Sequence, residues 1–183
     1  GRVLDAARRM QRIILQVLEF TRARLGGGLA LDLAHVDLGD VCRRVLSELT
    51  LASSRDAKLT EEGDVSGTWD GELLGEALSN VIGNAFEHAA PRTTIEIELL
   101  ERAAAVIASV TNDGPIIPPE IAAHLFDPFR RAGAPAPRSG HLGLGLYVAH
   151  EIVRAHGGLI EVRSGDGRTR FTIKLPRAAA GAS

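Results

Sequence analysis

The chain has 183 residues, of which 45% are hydrophobic and 24% charged, and its formal net charge is -2. This length accommodates one full domain and a smaller appendage, but not two large domains, and the composition is that of a globular protein with a buried core. The weak charge and the 4% aromatic content exclude the broad basic, base-stacking surfaces with which proteins bind nucleic acid.

The first 26 residues predict one long helix. Its seam recurs at alternating steps of four and three residues, the heptad spacing of a helical bundle: Val3, Ala7, Met10, Ile14, Val17 and Thr21. Such a stripe must be buried against other helices, and no second long helix lies next to it, so we expect self-association as a homodimer in the full-length protein. Three glycines, residues 26–28, then end the helix and set a domain boundary. We expect a linker over residues 27–36.

A single larger domain is predicted over residues 37–177, followed by a short tail over residues 178–183. Asp37 and Asp70 are each placed to cap a helix, because an aspartate before an apolar periodic run accepts the first free backbone N–H groups. A third helix is marked by apolar residues at four-residue steps. The predicted helices run to about Leu49, from Gly71 to about His88, and over residues 144–155.

Five strands are predicted in the same domain, and they follow one another as hairpins rather than in regular βαβ units. They cover residues 57–61, 94–99, 105–110, 159–163 and 169–175. The strand over residues 105–110 is almost uniformly apolar, which indicates a central place in its sheet. We therefore predict an α/β (α+β) two-layer sandwich. Its sheet is mixed but mostly antiparallel, with three main helices, and the long helix precedes it.

Asn80 and Asn84 lie four residues apart, so both amides project from one face of the predicted Gly71–His88 helix. An amide oxygen is a hard neutral ligand that suits Mg²⁺ when waters and nucleotide phosphates supply the remaining ligands. Taken alone, the pair is equally compatible with two polar residues on a partly exposed helix.

A polar turn ends the strand over residues 105–110. Asn112 stands at the strand end, and Gly114 allows the backbone to approach a ligand closely. An acceptor in this position can bind an adenine amino group. A plain Asn-Asp-Gly turn is the alternative.

A glycine-rich loop, residues 140–146 (Gly-His-Leu-Gly-Leu-Gly-Leu), runs directly into the third helix. Open backbone N–H groups at the positive end of a helix dipole form a general phosphate site. No Gly-Lys-Ser/Thr follows, so this is not a P-loop, and no strand immediately precedes it, as a dinucleotide fingerprint would require.

Phe126 and Phe129 precede a Pro- and Gly-rich segment. A phenylalanine pair is usually part of a core, but at the head of such a segment it is also suited to anchor a lid.

These four motifs, in this order, resemble the catalytic and ATP-binding domain of sensor histidine kinases of two-component systems. That domain belongs to a superfamily shared with DNA gyrase and the ninety-kilodalton heat-shock chaperone. The resemblance covers about residues 37–176, including the closing His156-Gly157-Gly158. It implies the Bergerat (GHKL) ATP-binding fold, with ATP and Mg²⁺ as cofactors.

The resemblance also implies roles for individual residues. Asn84 falls at the Mg²⁺-ligand position, His88 near the phosphates, and Arg131 at the lid arginine. The implied catalytic set is Asn80, Asn84, His88 and Arg131. The implied nucleotide-binding set is Asn80, Asn84, His88, Asn112, Gly114, Ile117, Phe126, Phe129, Arg131, His141, Leu142, Gly143, Leu144, Gly145 and Leu146.

Four positions depart from the family pattern. Asn112 replaces an aspartate and so keeps an acceptor for adenine without its charge. Ile116 and His141 replace glycines, and Glu87 stands where many members carry a lysine near the phosphates. Together these departures predict weaker nucleotide binding.

The resemblance favours phosphoryl transfer over hydrolysis. Hydrolases and serine kinases of the superfamily carry a glutamate one turn before the metal asparagine, and Asn80, which stands there, cannot act as a general base. The implied partners are ATP or ADP, a helix that carries the phosphoacceptor histidine, and a response regulator receiver domain. A degenerate, non-catalytic nucleotide-binding or interaction module of the same fold is the alternative.

None of the six histidines has the His-Glu/Asp-x-x-x-Pro pattern of the family's phosphoacceptor. We therefore expect this chain to bind ATP without phosphorylating itself. Because Cys42 is the only cysteine and no run of about 18 apolar residues occurs, we expect a cytoplasmic chain. It opens inside a helical pattern without an initiator methionine, so we also expect further segments upstream that could anchor the full-length protein to a membrane.

Overall fold

The computed structural model describes residues 29–52, 55–128 and 144–178. The predicted long helix over residues 1–26 lies outside these ranges. So do most of the predicted lid and five of the predicted site residues, namely Phe129, Arg131, His141, Leu142 and Gly143.

The described residues form four helices and seven strands. The helices are α1 (Leu38–Ala52), α2 (Gly71–His88), the short α3 (Pro119–Ala122) and α4 (Gly145–Ala155). The strands are β1 (Ala34–Asp37), β2 (Ala57–Glu62), β3 (Ser66–Trp69), β4 (Ile95–Arg102), β5 (Ala105–Asp113), β6 (Leu159–Gly165) and β7 (Arg168–Pro176).

The main sheet has the strand order β2-β4-β5-β7-β6, with β2 and β4 parallel and the other neighbours antiparallel. Its inner face and the apolar sides of α1, α2 and α4 share one core. The predicted two-layer sandwich with a mixed, mostly antiparallel sheet and three main helices is confirmed. The central place predicted for β5 is also confirmed.

Helix capping follows the predictions. The Asp37 carboxylate accepts from the backbone N–H of Asp40 at 3.0 Å, and Asp70 caps α2. Along α2 the buried residues recur at helical spacing: Leu74, Ala77, Leu78, Val81, Ile82 and Ala85. Burying side chains of this size contributes about 1.5–3 kcal/mol for each of the larger ones, which is what holds α2 against the sheet.

The outer face of the sheet carries charged side chains. Arg168 on β7 reaches Glu96 at 2.8 Å and Asp113 at 2.9 Å, and Arg170 reaches Glu98 at 2.5 Å. Exposed ion pairs contribute little each, about 0–1 kcal/mol. Their main effect is to keep this face in water, which explains why the helices cover only the other one.

A second, two-stranded sheet was not predicted. Strands β1 and β3 pair antiparallel, so the predicted linker over residues 27–36 ends in a strand. Trp69 of β3 is fully buried, and its indole N–H donates to the carbonyl of Pro176 at 2.6 Å. The small sheet is thereby fixed to the end of β7.

Two titratable groups are buried in the core. Cys42 on α1 is fully buried, and this burial raises the pKa of its thiol to about 12. His156, at the end of α4, is also fully buried; its Nδ1–H donates to the carbonyl of Ile152 at 2.8 Å, and its Nε2 accepts from the backbone N–H of Asp70 at 3.0 Å. Burial lowers the pKa of His156, against the opposing effects of the Ile152 carbonyl and the Asp70 charge.

The lowered pKa of His156 predicts a loss of stability in mild acid. Below about pH 6.5 the unfolded chain takes up a proton that the folded chain does not, so the free energy of unfolding falls as the pH decreases. His156→Leu should remove this part of the pH dependence. Because it leaves the Asp70 N–H without an acceptor, it should also cost about 1–3 kcal/mol at pH 8. Urea unfolding from about pH 5.5 to 8 measures both effects.

Trp69→Phe is the matched control, because it loses a buried hydrogen bond without changing a titratable group. It should lower stability while keeping the pH dependence of the wild type. An unchanged slope in His156→Leu would contradict the assignment.

Candidate active site

The candidate site lies where α2, the end of β5, the β6–β7 hairpin and the start of α4 meet. Asn80 and Asn84 lie on α2, and both side chains are partly buried. The Asn80 amide donates to the carbonyl of Glu76 at 3.1 Å. Within the described ranges the Asn84 side chain makes no hydrogen bond. Its amide oxygen is therefore available to a ligand.

The start of α4 lies directly against Asn80. A Cβ added at Gly145 would be 2.6 Å from the Asn80 amide oxygen, closer than any side chain tolerates. This contact explains why a glycine is needed at the end of the Gly-rich loop. Among the described residues, no side chain caps the first turn of α4, so its N–H groups are candidates for binding an anion. Leu144, just before the helix, is fully buried, and Leu146 packs against the core.

The turn after β5 packs against the end of α2. Gly114 donates its N–H to the carbonyl of Gly167 at 2.8 Å, and an added Cβ would lie 2.6 Å from the carbonyl oxygen of His88. Asn112 is buried, with its amide donating to the carbonyl of Asp113 at 3.3 Å. That bond directs the NH₂ group to the protein and leaves the amide oxygen as an acceptor.

Two polar residues beside Asn112 were not predicted. Thr169 is buried and pairs with Asn112 in the β5–β7 register; its hydroxyl lies 2.9 Å from that of Ser164, which accepts from the N–H of Ile117 at 2.9 Å. One signal could have revealed Thr169: it is the only polar residue among the inward positions of β7, which otherwise hold Phe171, Ile173 and Leu175.

Phe126 and His88 have different surroundings. Phe126 stacks on His150 with ring centroids 5.6 Å apart and meets the edge of Phe171 at 6.5 Å, so it is anchored in the core below the start of the predicted lid. His88 is exposed at the last position of α2, one turn beyond Asn84 on the same face.

A divalent ion would have few protein ligands at this site. Within the described residues there is no group of three or more histidine, cysteine, aspartate or glutamate side chains able to hold a metal ion. Asn84, with its available amide oxygen, fits Mg²⁺ held mainly by waters and phosphates.

No described helix has both the length and the apolar character needed to cross a membrane.

Comparison with known proteins identifies the family to which this chain belongs. Residues 69–179 match the family of histidine kinase-, DNA gyrase B- and HSP90-like ATPases. The sensor histidine kinase TrcS of Mycobacterium tuberculosis is 34% identical over 96% of this chain and 36% of its own length.

Two solved structures have the same fold. The mycobacterial sensor histidine kinase MprB is 26% identical with a TM-score of 0.70, covering 81% of this chain and 99% of that one. The histidine kinase ThkA in complex with the response regulator protein TrrA is 23% identical with a TM-score of 0.75, covering 96% of this chain and 49% of that one.

The chain belongs to the family of histidine kinase-, DNA gyrase B- and HSP90-like ATPases. Within that family, it contains the ATP-binding catalytic domain of the sensor histidine kinase type. It spans only 36% of the length of TrcS.

Gly145→Ala should weaken ATP binding without unfolding the domain. Alanine suits the first turn of a helix, but its Cβ displaces the Asn80 amide. Losing the interactions of the displaced Asn80 amide should weaken ATP binding roughly tenfold. Titration calorimetry with Mg-ATP measures the affinity, and circular dichroism checks the fold. Gly165→Ala, where an added Cβ meets nothing within 4 Å, should bind ATP as the wild type does. Equal affinities in all three proteins would contradict this role for Gly145.

Proposed function

We propose that this domain transfers the γ-phosphoryl group of Mg-ATP to a histidine on a dimerisation helix that this chain does not contain. The observation that supports the proposal is the available amide oxygen of Asn84 on α2, one helical turn after Asn80, which contacts the start of α4 at Gly145. A metal ligand and an open helix N-terminus close together are what a nucleotide triphosphate needs.

Each part of the site has a task in this proposal. Asn84 would hold Mg²⁺, which would supply positive charge to offset the negative charge of the nucleotide phosphates. The N–H groups at the start of α4 stabilise the charge of the transferring group. At the other end, the amide oxygen of Asn112 accepts from the adenine amine, and Thr169 and Ser164 line the same end. His88 and the lid arginine Arg131 are proposed to approach the phosphates.

Transfer is favoured over hydrolysis by the state of Asn80. This side chain occupies the position from which a carboxylate could activate water, but its amide donates to the Glu76 carbonyl and abuts Gly145. A carboxamide has no proton-accepting power near neutral pH, so it leaves an attacking water without a base.

Three of the five described histidines are engaged in contacts within the domain, which supports an acceptor elsewhere. Both ring nitrogens of His156 are engaged in the core. His150 stacks on Phe126, and His124 pairs with Asp127 at 2.8 Å. In the full-length protein we propose a cytoplasmic homodimer formed through the helix predicted over residues 1–26, with a response regulator receiver domain that takes the phosphoryl group from the histidine. ThkA was solved with such a partner.

A degenerate nucleotide-binding module is the second candidate. It is favoured by Asn112, which offers adenine an amide where the family has a carboxylate, and by the exposed Glu87 near the phosphate end of α2. Such a module would bind nucleotide without metal dependence, or not at all.

Asn84→Ala should abolish the part of ATP affinity that depends on Mg²⁺, because it removes the amide oxygen that is the proposed Mg²⁺ ligand. Calorimetric titrations of ATP with Mg²⁺ and with a chelator measure this part as a difference. The titration without metal is the internal control and should be the same for both proteins. Wild-type affinity that does not respond to Mg²⁺ would support the degenerate module.

This chain, incubated with γ-labelled ATP, should remain unlabelled. Adding the first helix of the dimerisation hairpin, fused or in trans, should produce acid-labile phosphohistidine. Strong acid-labile labelling of the chain alone would show that one of its six histidines is the acceptor, and the proposed division between chain and acceptor helix would be wrong.

A further inference from the structure

Asp70 is a junction at which three segments of the chain meet. One carboxylate oxygen accepts from the N–H groups of Glu72 at 3.1 Å and Leu73 at 3.0 Å, which caps α2. The other oxygen accepts from the backbone N–H of Asp32 at 3.0 Å. The backbone N–H of Asp70 itself donates to Nε2 of His156 at 3.0 Å. Asp70 is 8% exposed, so these bonds are largely shielded from water.

Capping alone does not require an aspartate here. Asparagine and serine cap helices as well as aspartate does, because a single side-chain oxygen suffices. The second carboxylate oxygen of Asp70 is used only by Asp32, a residue 38 positions earlier in the chain. The choice of a carboxylate therefore joins the segment that precedes the domain to the start of α2.

Two helices, α2 and α4, connect Asp70 with the candidate active site. α2 starts at Asp70 and carries Asn80 and Asn84, while α4 ends at His156 and starts at Gly145. At the far end of the pair, Asp70 and His156 are hydrogen-bonded; at the near end, Gly145 abuts Asn80 without room for a methyl group. Because α2 and α4 are close-packed and in contact at both ends, a displacement of the helices at one end also shifts them at the other.

We propose that Asp70 is a positioning residue for nucleotide binding, through which the segment at Asp32 biases the alignment of α2 with α4. This inference rests on the proposed placement of ATP between those two helices. Coupling of this kind is reciprocal: if the Asp32–Asp70 bond tightens nucleotide binding, nucleotide strengthens that bond equally. The segment leading into the domain thus has a direct connection to the site.

Two substitutions break the same bond from opposite sides. Asp70→Asn keeps an oxygen for the α2 cap but places an NH₂ group toward Asp32. Asp32→Pro removes the N–H that Asp70 accepts. Asp32→Ala keeps this N–H and is the matched control, and Ala30→Pro introduces the same ring two residues upstream.

Each bond-breaking variant should weaken Mg-ATP binding roughly five- to tenfold in titration calorimetry. The double variant should be no weaker than either single variant, because one bond is lost in all three. Asp32→Ala and Ala30→Pro should bind as the wild type does. In addition, Mg-ATP should slow hydrogen exchange of the Asp32 amide in the wild type but not in Asp70→Asn, an effect that a merely structural cap would not produce.

The outcomes separate this inference from the proposed function. A wild-type chain that binds no Mg-ATP would refute both. Normal Mg-ATP binding in the wild type, with thermal stability lowered but affinity unchanged in Asp70→Asn and Asp32→Pro, would refute the inference alone. Additive losses in the double variant would also refute it, because the two residues would then act separately.

Discussion

The position of α2 relative to α4 is the constraint on which the site depends. α2 supplies both asparagines, and α4 supplies the open N-terminus, yet neither helix alone forms a phosphate site with a metal ligand. Their approach at Gly145 and Asn80 leaves no room for a side chain. The buried core beneath them, shared with the sheet, holds that approach in place. The proposed nucleotide site thus depends on how α2 and α4 pack against each other.

The sheet contributes the other end of the site. The end of β5 carries Asn112, and the β6–β7 hairpin brings Thr169 and Ser164 beside it. Gly114 donates a hydrogen bond to Gly167 and packs against the end of α2. This edge of the sheet is therefore held against α2, the helix that carries Asn84. The proposed base-binding and phosphate-binding ends therefore both pack against α2, which fixes the distance between them.

Local signals determined how much could be predicted. The capped helix α2 and the central strand β5 follow from capping residues and apolar runs that lie within short stretches of sequence, and the candidate site residues Asn84 and Asn112 were identified from motifs of the same kind. The β1–β3 sheet could not be predicted in this way, because four-residue strands carry almost no periodicity and their pairing joins residues about 30 positions apart. Ser164 and Asp32 were likewise missed, since their partners are set by tertiary packing.

Burial of the only cysteine has a consequence for the chemistry that this domain can sense. With its pKa raised to about 12, Cys42 is almost entirely protonated at pH 7. Peroxides and alkylating reagents react with the thiolate, so the folded domain offers them almost no target. A cysteine placed on its surface would therefore be the main site at which a thiol-directed probe attaches.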